Sequence, residues 1–151
     1  MKTLICIDNK SYSQCNYDVI TKVNKYVENS IEEISFSTLD QTVPFVDINT
    51  AVFHPCEMDS FNNGVIIATS ISNAKIILSC ANSSKKVLYL YDLDWMFQFF
   101  EYDELYDILS NKNLKIIARD EDHVSPIKNL CNREPDAIIN SFDLEKIWNL
   151  L

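Results

Sequence analysis

Short apolar runs separated by segments with helical spacing are the feature that most constrains the fold of this chain. A buried strand in a parallel sheet is apolar on both faces and reads as a short continuous run of such residues. Runs of this kind occupy residues 2–8 (KTLICID), 64–69 (GVIIAT), 87–91 (VLYLY) and 114–118 (LKIIA), and residues 33–39 (EISFSTL) alternate with period two, which predicts a strand near an edge.

The segments between these runs carry apolar residues at helical spacing. Predicted helices cover residues 14–29, a segment after Ser70 with Ile71, Ala74, Ile77, Leu78 and Ala81 on one face, residues 102–109, and a last segment capped by Asp143. A further helix starts after Asp120-Glu121-Asp122 or, because Pro126 fits the first helical position, with Ser125 as its N-cap. Residues 40–63 are predicted to be irregular with one short strand at 51–53, and residues 137–140 form another short strand.

Strands that alternate with helices favour right-handed crossovers and parallel strand pairing. We therefore expect residues 1–151 to form one Rossmann-like α/β domain, a three-layer open and mainly parallel sheet with helices on both faces. A chain of 151 residues that is 47% hydrophobic is large enough to bury such a core without disulfides.

The chain has one glycine, and this excludes several nucleotide-binding classes. Phosphate-binding loops need glycines so that the backbone can approach the phosphate closely. The loop after Asp8 reads NKSYSQCN and contains none, and Gly64 is explained at this stage by the turn Asn62-Asn63-Gly64. We therefore expect no self-contained dinucleotide or P-loop site, and no bound cofactor.

Composition restricts the partners and the compartment. The net charge of −9 disfavours nucleic acid as a ligand, except as an acceptor held by a local basic strip. The five cysteines form no C-x-x-C pair and are expected to be free thiols, and no apolar run reaches about 18 residues. A cytoplasmic protein without a membrane segment is expected. His54 and His123 lack metal-ligand spacing, so no metal site is predicted, and both are interpreted as surface or loop residues.

Polar residues at the carboxyl ends of the predicted strands are the candidate site, because ligands of open parallel sheets bind there. They are Asp8 and Asn9, then Thr69 and Ser70, then Asp92 and Asp94 followed by Trp95, and finally Arg119 beside Asp120. For Ser70 and Asp120 the alternative is a purely structural role as helix caps.

Asp92 and Asp94, in the segment YLYDLDW, are the candidate catalytic residues. A carboxylate beside aromatic side chains can act as a general base. The alternative is that both cap the segment that follows. That segment is aromatic, and its members are Trp95, Phe97, Phe99, Phe100 and Tyr102. Most of these side chains are expected to pack in the core. An exposed remainder would form a lid, an acceptor groove or a protein contact.

Residues 64–140 resemble the N-terminal, acceptor-side domain of GT-B fold glycosyltransferases, especially phage DNA glucosyltransferases. The resemblance lies in the order VIIATSISNAKIIL, KKVLYLYDLDW and YDELYDILSNKNLKIIARDEDHVSPIKN. It implies a Rossmann-like domain that holds the acceptor, with Asp92 or Asp94 as the base, in a phage protein of the host cytoplasm. The family binds its sugar nucleotide mainly in a second domain, which we expect a partner chain or a homo-oligomer to supply.

The hypothesis from a different class is a noncatalytic interaction or regulatory protein on the same Rossmann-like scaffold. In this phage or bacterial protein, the acidic surface and the aromatic segment would dock onto a host or viral protein.

Overall fold

One parallel sheet of seven strands organises the protein. The computed structural model describes residues 1–97 and 101–151, with the backbone alone at Asp94. The strands are β1 (Lys2–Cys6), β2 (Glu33–Ser37), β3 (Ala51–Phe53), β4 (Val65–Ala68), β5 (Lys85–Leu90), β6 (Leu114–Ala118) and β7 (Ala137–Ile138). Their order across the sheet is β3-β2-β1-β4-β5-β6-β7, and every neighbouring pair is parallel.

Helices cover both faces of this sheet. They are α1 (Gln14–Val27), α2 (Ile71–Ser79), α3 (Tyr102–Ser110), α4 (Val124–Cys131) and α5 (Leu144–Asn149). Helices α1 and α5 pack on one face and α2, α3 and α4 on the other, and each face has its own apolar cluster. Successive strand residues alternate between the clusters, as Leu4 and Ile5 do in β1, so a strand buried on both sides must be apolar throughout. The predicted three-layer Rossmann-like fold is confirmed.

Several details differ from the sequence-based predictions. Helix α4 begins at Val124, because Asp120 caps a 3₁₀ turn over Glu121–His123 that leads directly into it. Pro126 then lies in the first turn, where its missing N–H costs no helical hydrogen bond, and Ser125 is not the N-cap. Ala81 lies beyond the end of α2 and is exposed.

The prediction of a surface position for His123 is wrong. The His123 side chain is buried, with 3% of its surface exposed, and its Nε2 lies 3.6 Å from Asp120 Oδ1. The 3₁₀ turn before α4 places this side chain inward, which the acidic neighbours of His123 in the sequence did not indicate. Within the described residues, no helix is both long and apolar enough to cross a bilayer.

The only glycine is required by a close backbone approach. A Cβ atom at Gly64 would lie 2.7 Å from the carbonyl oxygen of Lys2 and 2.7 Å from Cε1 of Phe61. The left-handed residue of the turn is its neighbour Asn63, at φ 59°, whereas Gly64 does not have a positive φ. The turn therefore does not explain this glycine: Gly64 lets the start of β4 lie against β1.

We expect Gly64→Ala to lower the free energy of unfolding by about 1–3 kcal/mol, since the added methyl group must displace backbone as well as a ring. Urea denaturation measures the loss as a lower midpoint with an unchanged slope. Ala81→Gly, the reverse exchange at an exposed position, is the control and should cost less than about 1 kcal/mol. A midpoint for Gly64→Ala at or above that of the wild type would contradict the packing argument.

Candidate functional site

A cleft of about 330 Å³ opens at the carboxyl ends of β1, β4 and β5. Strand order reverses here, because the chain adds β2 and β3 on one side of β1 and β4 to β7 on the other. In open parallel sheets such a reversal separates the loops that follow adjacent strands and leaves a ligand crevice. Its walls are residues 8–9 after β1, residues 13–16 around the start of α1, residues 69–71 after β4, and residues 90–92 with Trp95 after β5.

Asp8 ties the two strands at the reversal together. Its Oδ1 accepts hydrogen bonds from Ser70 Oγ at 2.7 Å and from Asn73 Nδ2 at 2.9 Å. The same Asn73 amide and the Thr69 hydroxyl also donate to the carbonyl oxygen of Cys6. Among the described residues no donor lies on Asp8 Oδ2, and the side chain is exposed. Asp8 is thus held in a fixed position while one carboxylate oxygen stays available to a ligand.

The loop after β1 is shaped by an asparagine side chain. Asn16 Nδ2 donates to the carbonyl oxygens of Asn9 at 3.0 Å and Ser11 at 2.9 Å, and to Asn9 Oδ1 at 3.2 Å. Ser13 caps α1 by accepting from the Asn16 backbone N–H. The loop therefore takes its conformation from side-chain hydrogen bonds, and no glycine is needed for it.

Cys15 is a largely buried thiol beside the carboxylates of the cleft. Burial, followed by the carboxylates of Asp92, Asp8 and Asp18, raises the pKa of the Cys15 thiol to about 12. The thiol is therefore neutral at physiological pH and is a poor nucleophile. No lysine or arginine is among the described residues that line the cleft. The carboxylates that line the cleft, Asp8 and Asp92, would repel the phosphate group of a ligand.

Trp95 supplies an apolar wall and has a hydrogen-bond donor without an acceptor. The residue is only 5% exposed, and its Nε1 has no partner among the described residues. A buried indole N–H normally finds an acceptor. That nitrogen is itself buried, so Trp95 contributes an apolar surface to the cleft and not an accessible donor.

Arg119 lies outside this cleft, one strand further along the sheet. Its guanidinium stacks over the ring of Tyr91, 4.5 Å from the ring centroid, and its Nε donates to Asp120 Oδ2 at 3.2 Å. Tyr91 does line the cleft, and its hydroxyl donates to Asp18. Arg119 therefore supports a wall of the cleft and does not line it.

The structure brings most of the predicted site residues together. Those that line the cleft are Asp8, Asn9, Thr69, Ser70, Asp92 and Trp95. The side chain of Asp94 lies outside the described part of the chain. Ser70 also caps α2 by accepting from the Asn73 N–H, and Asp120 caps the 3₁₀ turn, so the structural alternative holds for both. For Ser70 the two roles coexist.

Sequence reasoning missed the contribution of α1. Residues 13–16 line the cleft, although the segment was interpreted only as the start of a crossover helix. The first helix of a doubly wound fold begins beside the strand-order reversal, so this position could have been recognised from the predicted topology.

The described residues contain no cluster of three or more His, Cys, Asp or Glu side chains that could hold a metal ion. His54 is exposed in a loop and its Nδ1 lies 3.1 Å from Cys56 Sγ.

Searches of protein-family models, of characterised proteins and of solved structures found no match to this chain. A fold of this kind carries many unrelated activities, so the fold does not identify the function of this chain, which must be inferred from the chemistry of the cleft.

The aromatic segment after β5 divides between core and surface. Trp95 is buried, whereas Met96 and Phe97 are 50% and 82% exposed and Tyr102 is 62% exposed. The predicted members Phe99 and Phe100 lie outside the described residues. An exposed remainder is therefore present beside the cleft.

Proposed function

We propose that this chain is an acceptor-side domain for glycosyl transfer, and that its cleft binds a neutral, hydroxyl-bearing acceptor. The observation that carries the proposal is the lining of the cleft at the β1/β4 reversal: the carboxylates of Asp8 and Asp92 without a lysine or arginine among the described lining residues. Carboxylates accept hydrogen bonds from hydroxyl groups, whereas phosphate oxygens would be repelled by them.

In the proposed reaction Asp92 is the general base. The acceptor hydroxyl oxygen attacks the anomeric carbon of a sugar nucleotide, the bond from that carbon to the phosphate oxygen breaks, and the nucleoside diphosphate leaves with the electron pair. The hydroxyl proton passes to a carboxylate oxygen of Asp92. Asp8, held by Ser70 and Asn73, would orient the acceptor through a second hydroxyl.

The donor would be held by another polypeptide. Nucleotide phosphates are bound by cationic side chains or by glycine-rich loops, and the cleft offers neither among its described residues. The resemblance to the acceptor-side domain of GT-B glycosyltransferases supports the same division. A sugar-nucleotide-binding partner chain or a second copy of this chain would therefore complete the enzyme.

Trp95 adds an apolar wall to the acceptor site. The indole would pack against the face of a ring, while the two carboxylates call for hydrogen-bond donors. A hydroxylated ring, as in a sugar or a nucleoside, meets both requirements.

Paired titrations test the proposed ligand class. We expect glucose or a nucleoside to shift the NMR amide signals of Asn9 and Ser70, and the matching monophosphate to bind there at least about tenfold more weakly. The Asp8→Asn, Asp92→Asn double variant should reduce this discrimination. The proposal would be overturned if the monophosphates bound the wild-type cleft more tightly than the neutral compounds. It would also be overturned if neither glucose nor a nucleoside shifted the amide signals of Asn9 and Ser70.

A noncatalytic interaction role is the second candidate, favoured by the exposed aromatic surface. Tyr102 and Tyr106 stack with ring centroids 6.3 Å apart, and both are exposed, as is Phe97. Exposed carboxylates accompany them at Glu101, Asp103 and Asp107. A basic protein partner would suit this surface. If this role is correct, a Phe97→Ser, Tyr102→Ser variant should abolish partner binding while no small ligand shifts the cleft amides.

A further inference from the structure

A second, larger concavity lies along the C-terminal half of α1, away from the N-terminal end of this helix that lines the cleft. It has a volume of about 650 Å³ and is formed by Lys22, Lys25, Tyr26, Asn29 and Ser30, together with residues 140–146. We call this concavity the α1/α5 groove. At 1.5 Å per residue, Lys22 lies about 10 Å along the helix from the residues of α1 that line the cleft. The groove is therefore distinct from the cleft.

Two lysines of the groove have no partner within the described chain. Lys22 and Lys25 lie three residues apart, on the same side of α1, and both are exposed. Elsewhere in this acidic protein most cationic side chains contact an acceptor, as the pairs Lys75–Glu104, Lys115–Asp136 and Lys128–Glu134 illustrate. Two uncompensated cations that face one concavity favour an anion there.

The opposite wall of the groove is strained and rigid. Ser141 and Phe142 have φ values of 62° and 49°, a left-handed conformation that costs a residue with a Cβ free energy. Tyr89 holds this conformation from the core: its hydroxyl accepts from the Phe142 N–H at 3.0 Å and donates to the Ile139 carbonyl at 2.9 Å. The wall is thus fixed before any ligand arrives.

The strained wall presents polar groups to the groove. Ser141 and Asn140 are exposed and line it, so a hydroxyl and an amide lie on the wall opposite the two lysines. The third lysine, Lys146, pairs with Asp143 at 3.5 Å, and the remaining carboxylate, Glu145, is exposed. Three lysines against two carboxylates make this groove positive, in contrast to the acidic cleft.

We infer that the α1/α5 groove binds the phosphate group of a small phosphorylated ligand, with Lys22 and Lys25 as the cationic contacts. Ser141 and Asn140 donate hydrogen bonds from the facing wall, and Tyr26, which packs edge-on against Trp148, also lines the groove. This site is independent of the acceptor cleft and needs no partner chain.

Titration with inorganic pyrophosphate, followed by ¹⁵N amide NMR at low ionic strength, tests the inference. We expect saturable shifts at Asn140 and Ser141, and roughly tenfold weaker binding by the Lys22→Gln, Lys25→Gln double variant. The control Lys112→Gln, Lys128→Gln removes the same charge from the α3 and α4 side of the sheet and should keep the affinity within about twofold. Binding should weaken as sodium chloride is added.

Three results would overturn the phosphate site. They are equal affinity in the Lys22→Gln, Lys25→Gln variant and the wild type, an equal loss in the Lys112→Gln, Lys128→Gln control, and no saturable shift at Asn140 and Ser141 up to about 10 mM pyrophosphate. An Asp92→Asn variant should bind pyrophosphate in the groove as the wild type does. Failure of the groove and failure of the acceptor cleft are therefore separate outcomes.

Discussion

Replacement of Arg133 by alanine should lower the free energy of unfolding by about 3 kcal/mol, the largest stability loss that we expect from one side chain outside the apolar core. The guanidinium donates to the carbonyl oxygens of Leu109, Asn111 and Leu114, at 3.3, 2.8 and 2.7 Å, and to Asp136 Oδ2 at 2.7 Å. It therefore joins the end of α3, the start of β6 and the residue before β7. Its removal leaves several partly buried acceptors without a donor.

Urea denaturation of Arg133→Ala and of two control variants measures this contribution. Arg133→Lys keeps the charge but cannot reproduce the fork of donors, so most of the loss should remain. Arg119→Ala removes the other arginine, which bonds to its neighbour Asp120 and contacts Tyr91, and should cost about 1 kcal/mol or less. Equal stability of the Arg133→Ala and Arg119→Ala variants would contradict the stabilising role assigned to the hydrogen bonds of Arg133.

The contact between Arg133 and Asp136 also predicts a loss of stability in acid. Burial raises the pKa of Asp136, but the Ile116 N–H, Lys115 and Arg133 outweigh it and hold that pKa below its ordinary value of 3.8. A carboxyl group with a lowered pKa in the folded state stabilises the fold above 3.8, and this stabilisation disappears as the pH falls through the folded-state pKa. In Arg133→Ala we expect a smaller acid-dependent term, measurable as a flatter dependence of the urea midpoint on pH below 4.

Under the proposed function, Asp92→Asn should reduce glycosyl transfer by about 10²–10⁴-fold, the effect of removing a general base. The variant keeps the size and much of the polarity of the side chain, but the amide cannot take the proton of the acceptor hydroxyl. The measurement is the rate of transfer from a sugar nucleotide by the chain together with a sugar-nucleotide-binding protein that supports transfer. Affinity for the acceptor, read from the cleft amides, should change far less than the rate.

Asp107→Asn is the matched control for Asp92→Asn. Asp107 is an exposed carboxylate on α3, and its replacement should leave the rate within about twofold. Asp94→Asn tests the other predicted base in the same assay. If Asp92→Asn transfers sugar at the wild-type rate, Asp92 is not the base. The binding of an acceptor in the cleft is tested separately, by the paired titrations.

Local patterns in the sequence were sufficient for most of the elements. The run VIIA, the Ser70 cap and the helix that follows were all predicted, because burial and capping depend on neighbours in the sequence. Two starts were predicted for α4, and the structure has the earlier one, just after Asp120-Glu121-Asp122. The later start at Pro126 is wrong, because the preference of Pro126 for the first helical position is outweighed by the cap at Asp120. Gly64 was assigned to a turn, since its contact with Lys2 crosses from one strand to another.

The sequence by itself determined the alternation of strands and helices, the acidic character and the absence of a glycine-rich phosphate loop, because each follows from composition or from the spacing of nearby residues. Only the tertiary structure decided which strands are neighbours. The placement of β4 beside β1 creates the cleft, and α1 beside the β7–α5 segment creates the groove of opposite charge. Contacts between distant residues depend on how the layers pack, and periodicity along the chain contains no information about those partners.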